Sequence, residues 1–438
     1  MSASLRHLAG SGWWAGIDQA TFSAANFLLN LVLARSLAPD EFGAFALAFS
    51  ILVLLGTLHS ALLTEPMLVL APARHRHRLA DYLRVLVEGH AALTGVFAAG
   101  LLIAALCARS TGNTALSAAL AADAVAVPCV LLLWLARRAC YVPLEPRLAA
   151  VAGIAYLALI VAVAALAAGQ GLLTPAGALT GMATASLLSA GWLLHRLGLD
   201  RSRPAPGLFR TVAADHWAYG RHAVLSAGLV WVPGNIYFLA LPAFGAMSDA
   251  GEFRAMLLLL MPLLLSQGAL GLVLLSAMAN SPSRAEATRL LRIGVVATGI
   301  GSLVYGALLV LLSSHLGRWM FADRYPELGS FMPLVALVGL TEGHAAVMAC
   351  RLRAAVRPDL ITRSAVIASL VTAATGLPLA WFHGAGGALL GWLLASATFA
   401  WSLQVAARKI ILSTGASPAE RVASSLAATA RIQIGDSH

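Results

Sequence analysis

Charge is what this chain has least of. Only 11% of its 438 residues are Asp, Glu, Lys or Arg, 60% are apolar, and the mean hydropathy is +0.83. A soluble globular chain carries about 25% charge, because a water-facing surface needs that polar material. The shortage excludes a soluble fold and leaves lipid as the medium around most of the surface. Cysteine is also scarce. Cys107, Cys129, Cys140 and Cys350 lie in or beside apolar segments without paired spacing, so they read as small apolar residues rather than a disulfide framework or a metal site. A Walker loop, an HExxH pair and a nucleophile elbow are all missing, so nothing supports an enzyme and no cofactor is implied. A cleaved leader is not expected. Arg6 is the only early charge, and the apolar run after it is long and studded with Asp18, Gln19, Asn26 and Asn30.

What the chain does have is a series of apolar runs, each of the roughly 20 residues that cross a bilayer. They fall at 13–33, 44–63, 85–107, 115–135, 149–168 and 175–195, then at 223–244, 255–278, 293–313, 331–350, 364–382 and 387–407. The pattern predicts an all-α polytopic membrane protein with about twelve transmembrane helices. It divides into an N-terminal six-helix lobe (1–195), a cytoplasmic linker (196–222), a C-terminal six-helix lobe (223–407) and a cytoplasmic tail (408–438). Of the 29 Lys and Arg residues, 24 fall on one side of this arrangement and 5 on the other. Basic residues collect on the cytoplasmic side, so both termini are expected there, in a bacterial inner membrane. The net charge of +10 is therefore an orientation signal and not a nucleic-acid surface. The run Arg74-His75-Arg76-His77-Arg78 reads as a topology anchor on anionic lipid heads, with gathering of a diphosphate as a second use. Outer loops are short, which argues against a membrane glycosyltransferase or polymerase.

The halves echo each other weakly. Glu41-Phe42-Gly43-Ala44-Phe45 opens the second run and Glu252-Phe253-Arg254-Ala255-Met256 the eighth. Arg138-Ala139-Cys140-Tyr141-Val142-Pro143 follows the fourth, and Arg353-Ala354-Ala355-Val356-Arg357-Pro358 the tenth. Two related six-span bundles are a recurrent plan for alternating-access carriers, with the substrate path between the halves; chance likeness between biased segments is the other reading.

Ionisable and polar groups inside spans are the candidates for function. Asp18, Gln19, Ser23, Asn26 and Asn30 recur at three- and four-residue steps and form a polar stripe on span one, facing a wet cavity or a neighbouring helix. Span seven contains Trp231, Pro233, Gly234, Asn235 and Tyr237, where proline and glycine together permit a bend that is either a hinge or a static kink. Asp123 in span four and Glu342 in span ten occupy similar places in the two halves. They are candidates for proton or sodium coupling, or else acids that stabilise packing. His344 points elsewhere than Glu342, and His59 reads as a bundle histidine.

Gly12-Trp13-Trp14 through Asp18-Gln19, Asn26, Asn30, Ala34-Arg35-Ser36-Leu37, Glu41-Phe42-Gly43 and Glu65-Pro66-Met67 resemble the start of the polysaccharide (O-antigen or exopolysaccharide) flippases of the Wzx type. These belong to the multidrug/oligosaccharidyl-lipid/polysaccharide exporter superfamily. The first 70 residues carry most of the likeness. The resemblance implies a MATE-like fold and a central cavity lined by spans one and seven. It also implies movement of a polyprenyl-diphosphate-linked oligosaccharide between leaflets, alongside other polysaccharide-assembly proteins. A diphosphate in such a cavity calls for a cation, and Arg35, Arg221 and Arg254 lie nearer span ends than centres. A cation-coupled small-molecule exporter of the same superfamily is the main alternative.

Overall fold

The computed structural model describes residues 3–413 apart from 144, 172, 200–203, 205, 246, 280, 282 and 356. Arg201 and Arg203 of the expected linker, and the tail from residue 414, lie outside the described residues. In lipid every backbone polar group must be paired internally, and a helix does this within one segment. The described residues accordingly form α-helices and no strand. In order these are α1 (Ala3–Ser36), α2 (Pro39–His59), α3 (Glu65–Arg74), α4 (Leu79–Ser110), α5 (Thr114–Ala139), α6 (Pro146–Gly169), α7 (Pro175–Arg196) and α8 (Leu208–Asn235). Then come α9 (Tyr237–Ala243), α10 (Met247–Ala279), α11 (Arg284–Leu311), α12 (Ser313–Phe321), α13 (Leu328–Ala354), α14 (Pro358–Val371) and α15 (Leu377–Ser413). π-Helical turns at Ser60–Thr64 and Thr372–Gly376 join α2 to α3 and α14 to α15.

Helix starts follow local chemistry. Side-chain oxygens of Asn113, Thr174 and Ser283 accept from the backbone N–H groups of Leu116, Gly177 and Glu286, pairing donors that a helix start leaves free. Glu41 accepts from the Ala38 N–H at the start of α2. In the same motif Phe42 is fully buried. Gly43 lies against the Met247 backbone so closely that a Cβ would overlap its carbonyl. Each residue of Glu41-Phe42-Gly43 thus has a separate structural task.

Among the described residues, nine helical stretches are long and apolar enough to cross a membrane, or ten with the bent pair 223–235 and Tyr237–Ala243. One of the nine, Asp359–Lys409, has 51 residues, about 76 Å of helix at 1.5 Å per residue, more than twice a hydrocarbon core. It is a hairpin. The backbone breaks at His383 and at Gly384, whose φ of 55° suits glycine. Beyond that break the chain returns along itself, so that Ser364 meets Ser402 at 2.8 Å. Counting its two arms separately and the bent pair as one span gives eleven such segments among the described residues. The 34-residue α1, long enough but not among the stretches that apolar, makes the twelve anticipated from the apolar runs.

The chain divides into two compact units. One is Met1–Trp231 with Gly245–Gly251 and Met320–Arg324. The other is Val232–Phe244, Glu252–Trp319 and Tyr325–His438. In the first, α5 packs against α4 and α7, and α1 against α6. In the second, α13 packs between α11 and α15. Lipid removes the usual hydrophobic gain between helices, so close contact and hydrogen bonds hold these units together. Gln267 is one such clasp, donating to Ser302 Oγ at 3.0 Å and to the Gly339 carbonyl at 2.9 Å.

Candidate functional site

In the first unit, α5 runs on past its apolar stretch to Arg137 and Arg138, and Arg137 turns inward. Its Nε donates to Asp18 Oδ1 at 2.7 Å, and a terminal nitrogen donates to the Asp18 carbonyl at 3.2 Å. The Tyr141 hydroxyl donates to Asp18 Oδ2 at 2.8 Å. The guanidinium carbon lies 4.1 Å from the centre of the Phe22 ring, which stacks on Tyr156. Asp18 is 3% and Arg137 7% exposed. A buried carboxylate requires this kind of company. Sequence reasoning placed Arg137 only among the orientation arginines, and its partner lies 119 residues earlier.

The polar stripe of α1 therefore separates by function. Asp18 is held in the unit's interior. Gln19 is exposed and donates to Ser23. Asn26 and Asn30 donate to the carbonyls of Phe22 and Asn26 on their own helix, with Asn30 buried and Asn26 half-buried. Among the arginines named as phosphate partners, Arg35 and Arg221 are exposed, and the Arg35 carbonyl accepts from Arg324 Nε at 2.8 Å. Arg254 is 4% exposed, with its guanidinium 5.7 Å from the Phe238 ring.

In the second unit, Pro233 and Gly234 precede the place where helix 223–235 gives way to Tyr237–Ala243 at an angle of 56°. Trp392 of α15 fills the space beside Gly234. Its indole N–H donates to Glu342 Oε1 at 3.0 Å, and Phe253 packs edge-on to its ring. Tyr237 is fully buried, with its hydroxyl between Gly376 and Gly391. Asn235 is half-buried. His344 lies 3.1 Å from Gln404 Oε1. Both line a groove of about 380 Å³ with Thr298, Thr341 and Trp401. The two carboxylates named as coupling candidates thus differ. Glu342 has an indole donor, whereas Asp123, in the first unit, is fully buried and neither of its oxygens has a hydrogen-bond partner among the described residues.

The basic run after α3 has tertiary partners. Arg74 pairs with Asp215 of α8 at 3.1 Å, and His75 stacks on Tyr82 at 4.3 Å. The Tyr82 hydroxyl lies 2.7 Å from His216 Nε2, and His216 Nδ1 lies 2.9 Å from the Leu62 carbonyl. The reason is in the sequence. Pro66, four residues after Leu62, has no N–H to give that carbonyl. His216 supplies the donor instead, which fixes Nδ1–H and leaves Nε2 to accept from Tyr82. Burial lowers the His216 pKa, against smaller opposing effects of the Leu62 bond and Asp215.

The described residues of both units are helical, with stretches long and apolar enough to cross a membrane. No protein-family model matches the sequence, and no curated protein matches it. Solved structures do match along nearly the whole chain. An inward-facing multidrug resistance MATE family transporter of the MOP superfamily superposes with a TM-score of 0.74 at 12% identity, covering 91% of this chain and 98% of that one. The lipid II flippase MurJ, in an inward closed conformation, gives 0.68 at 11% identity, covering 90% and 87%. The eukaryotic MATE transporter AtDTX14 gives 0.66 at 15%, covering 95% and 97%. The chain has the two-lobed fold of these transporters.

Proposed function

We propose that this chain is a flippase that carries a polyprenyl-diphosphate-linked oligosaccharide across a bacterial inner membrane for polysaccharide export, by alternating access and with both termini cytoplasmic. The observation that carries the reading is the full-length likeness to a fold used by a lipid II flippase. It is joined to the resemblance of the first 70 residues to polysaccharide flippases. Transport needs only differential affinity of two conformations for the cargo or a coupling ion. In this reading Asp18, Gln19, Asn26, Asn30, Arg35, Arg221, Asn235 and Tyr237 serve the substrate path. Pro233 and Gly234 form a hinge, and Asp123 and Glu342 serve coupling. The linker and tail lie on the cytoplasmic side, where other polysaccharide-assembly proteins meet the chain.

Deletion tests the cargo. Cells lacking the protein should accumulate a lipid-linked oligosaccharide confined to the inner leaflet, and normal polysaccharide output without such a species would refute the reading. The second reading, a cation-coupled small-molecule exporter, draws on the TM-score of 0.74 to a multidrug transporter and on the buried Asp123. Alanine at both Asp123 and Glu342 should abolish export from a correctly inserted protein if those acids couple transport. Undiminished export would remove them from the mechanism.

A further inference from the structure

The second span holds a polar feature that the flippase reading does not use. His59, the last residue of α2, is fully buried, and its Nε2 lies 3.0 Å from Nδ1 of His90 in α4, itself 4% exposed. Between two imidazole nitrogens at that distance there is room for one hydrogen and none for a metal ion. An unpaired N–H is rarer in a protein interior than an unpaired acceptor, and His59 Nδ1 has no partner among the described residues, so the favoured tautomers leave that nitrogen bare and have His90 accept at Nδ1. His59 then donates from Nε2, and its Nδ1 is a bare nitrogen. That atom is buried and has no hydrogen-bond partner among the described residues. One of the pair's two basic nitrogens is thus buried in the unit and unused.

Other polar groups lie along the same helices. The π-helical turn Ser60–Thr64 begins at the next residue, and π turns inside helices recur at functional sites. Its Ser60 and Thr64 hydroxyls lie 2.7 Å apart. The same turn presents the Leu62 carbonyl to His216, which is bonded to Tyr82, against which His75 stacks beside the Arg74–Asp215 ion pair. Tyr82 and His90 are eight residues apart on α4, about 12 Å along its axis. A second titratable group, Tyr82 with His216 and His75, thus lies on the side of α4 nearer the Arg74–Asp215 ion pair.

We infer that the His59–His90 pair is a proton-binding site, with His59 Nδ1 as the atom that takes the proton. The pair then becomes an imidazolium sharing one hydrogen with its neutral partner, with its charge delivered into the packing of α2 on α4. Few other charges face it. On α5 the titratable groups are Asp123, Cys129, Arg137 and Arg138. Asp123 lies five residues before Pro128, Arg137 is bound to Asp18, and Arg138 is exposed. α7 carries none before His195. On α4 itself Arg84 and Glu88 pair with each other. Glu65, at the start of α3, is exposed, and Asp18 on α1 is bound by Arg137. A proton at this depth favours whichever conformation hydrates it, which is the property a coupling ion needs. That the proton drives transport rests on the transporter reading; that it binds does not.

The test uses the purified full-length protein in lipid nanodiscs, without cargo, between about pH 8 and pH 3, a range that extends below the one in which free histidines change charge. Ring-nitrogen NMR of histidine-labelled wild type should show the pair taking up one proton, seen on both rings at the same pH and lost in either glutamine variant. Hydrogen exchange of the segment around Ser60–Thr64, compared at each pH, should rise on acidification in wild type and not in His59→Gln or His90→Gln. Rings that stay neutral throughout, or the same acid response in both glutamine variants, would overturn the proposal. If a glutamine variant is loosened already at pH 8, the wild-type ring signals decide alone. Failure of the flippase reading would leave all of these results unchanged.

Discussion

Asp18→Asn is the most informative single change in the first unit. It removes the charge that Arg137 faces at 2.7 Å and one acceptor of the Tyr141 hydroxyl. It leaves a guanidinium that is 7% exposed beside the Phe22 ring. Breaking a buried pair from one side costs about 3–5 kcal/mol, because the remaining charge is uncompensated. Arg137→Met should cost a similar amount, since Asp18 keeps only its tyrosine donor. Replacing both as Asp18→Leu with Arg137→Met removes the uncompensated charge and strands only the Tyr141 hydroxyl, a loss of about 1–3 kcal/mol. The double variant should therefore be more stable than either single one, with coupling of about 3 kcal/mol or more in the cycle. Denaturant-induced unfolding in detergent, followed by tryptophan fluorescence at fixed pH, measures all four proteins. Single variants within about 1 kcal/mol of wild type and additive effects would refute the view that this pair holds α1 to α5.

Gly43→Ala places a methyl on the Met247 carbonyl and should cost about 1–3 kcal/mol by overpacking, read as a lower midpoint in thermal unfolding; an unchanged midpoint would show that the contact is slack. For His216 burial is the largest influence and lowers the pKa. The undocked histidine therefore binds a proton more readily, and attachment of the start of α8 to the Leu62 turn should weaken as pH falls below about 6.5. Protease sensitivity of the 200–207 connection should rise on acidification in wild type and be high throughout in His216→Ala. A cysteine at Ser202, outside the described residues, should react with a membrane-impermeant maleimide only after cells are opened; labelling in intact cells would reverse the orientation.

Most of the scaffold was legible because lipid imposes one rule on every span. Apolar runs of the right length became helices, and even the turn between the last two was marked by a polar His383-Gly384 in an apolar stretch. The interior was less legible. Arg137 follows an apolar run just as an orientation arginine does, and nothing local tells whether its side chain reaches water or an acid 119 residues away. His59 looked like a packing histidine because its meaning depends on His90, on another helix. Pro66 leaves the Leu62 carbonyl without its helical donor, and nothing near it in the sequence tells that a histidine from the start of α8 supplies one. The polar stripe of α1 was visible as a period. Which members turn inward and which bond their own helix was decided by the neighbours α5 and α6.

The central claim is the movement of a lipid-linked oligosaccharide, and reconstitution tests it most directly. Purified protein in sealed vesicles holding a polyprenyl-diphosphate oligosaccharide in the leaflet that matches the cytoplasm should deliver it to the opposite leaflet, where a membrane-impermeant glycosidase cleaves it. Cleavage should exceed that in protein-free vesicles many-fold. No cleavage above protein-free vesicles, from protein that instead exchanges a small organic cation against protons or sodium, would contradict the account.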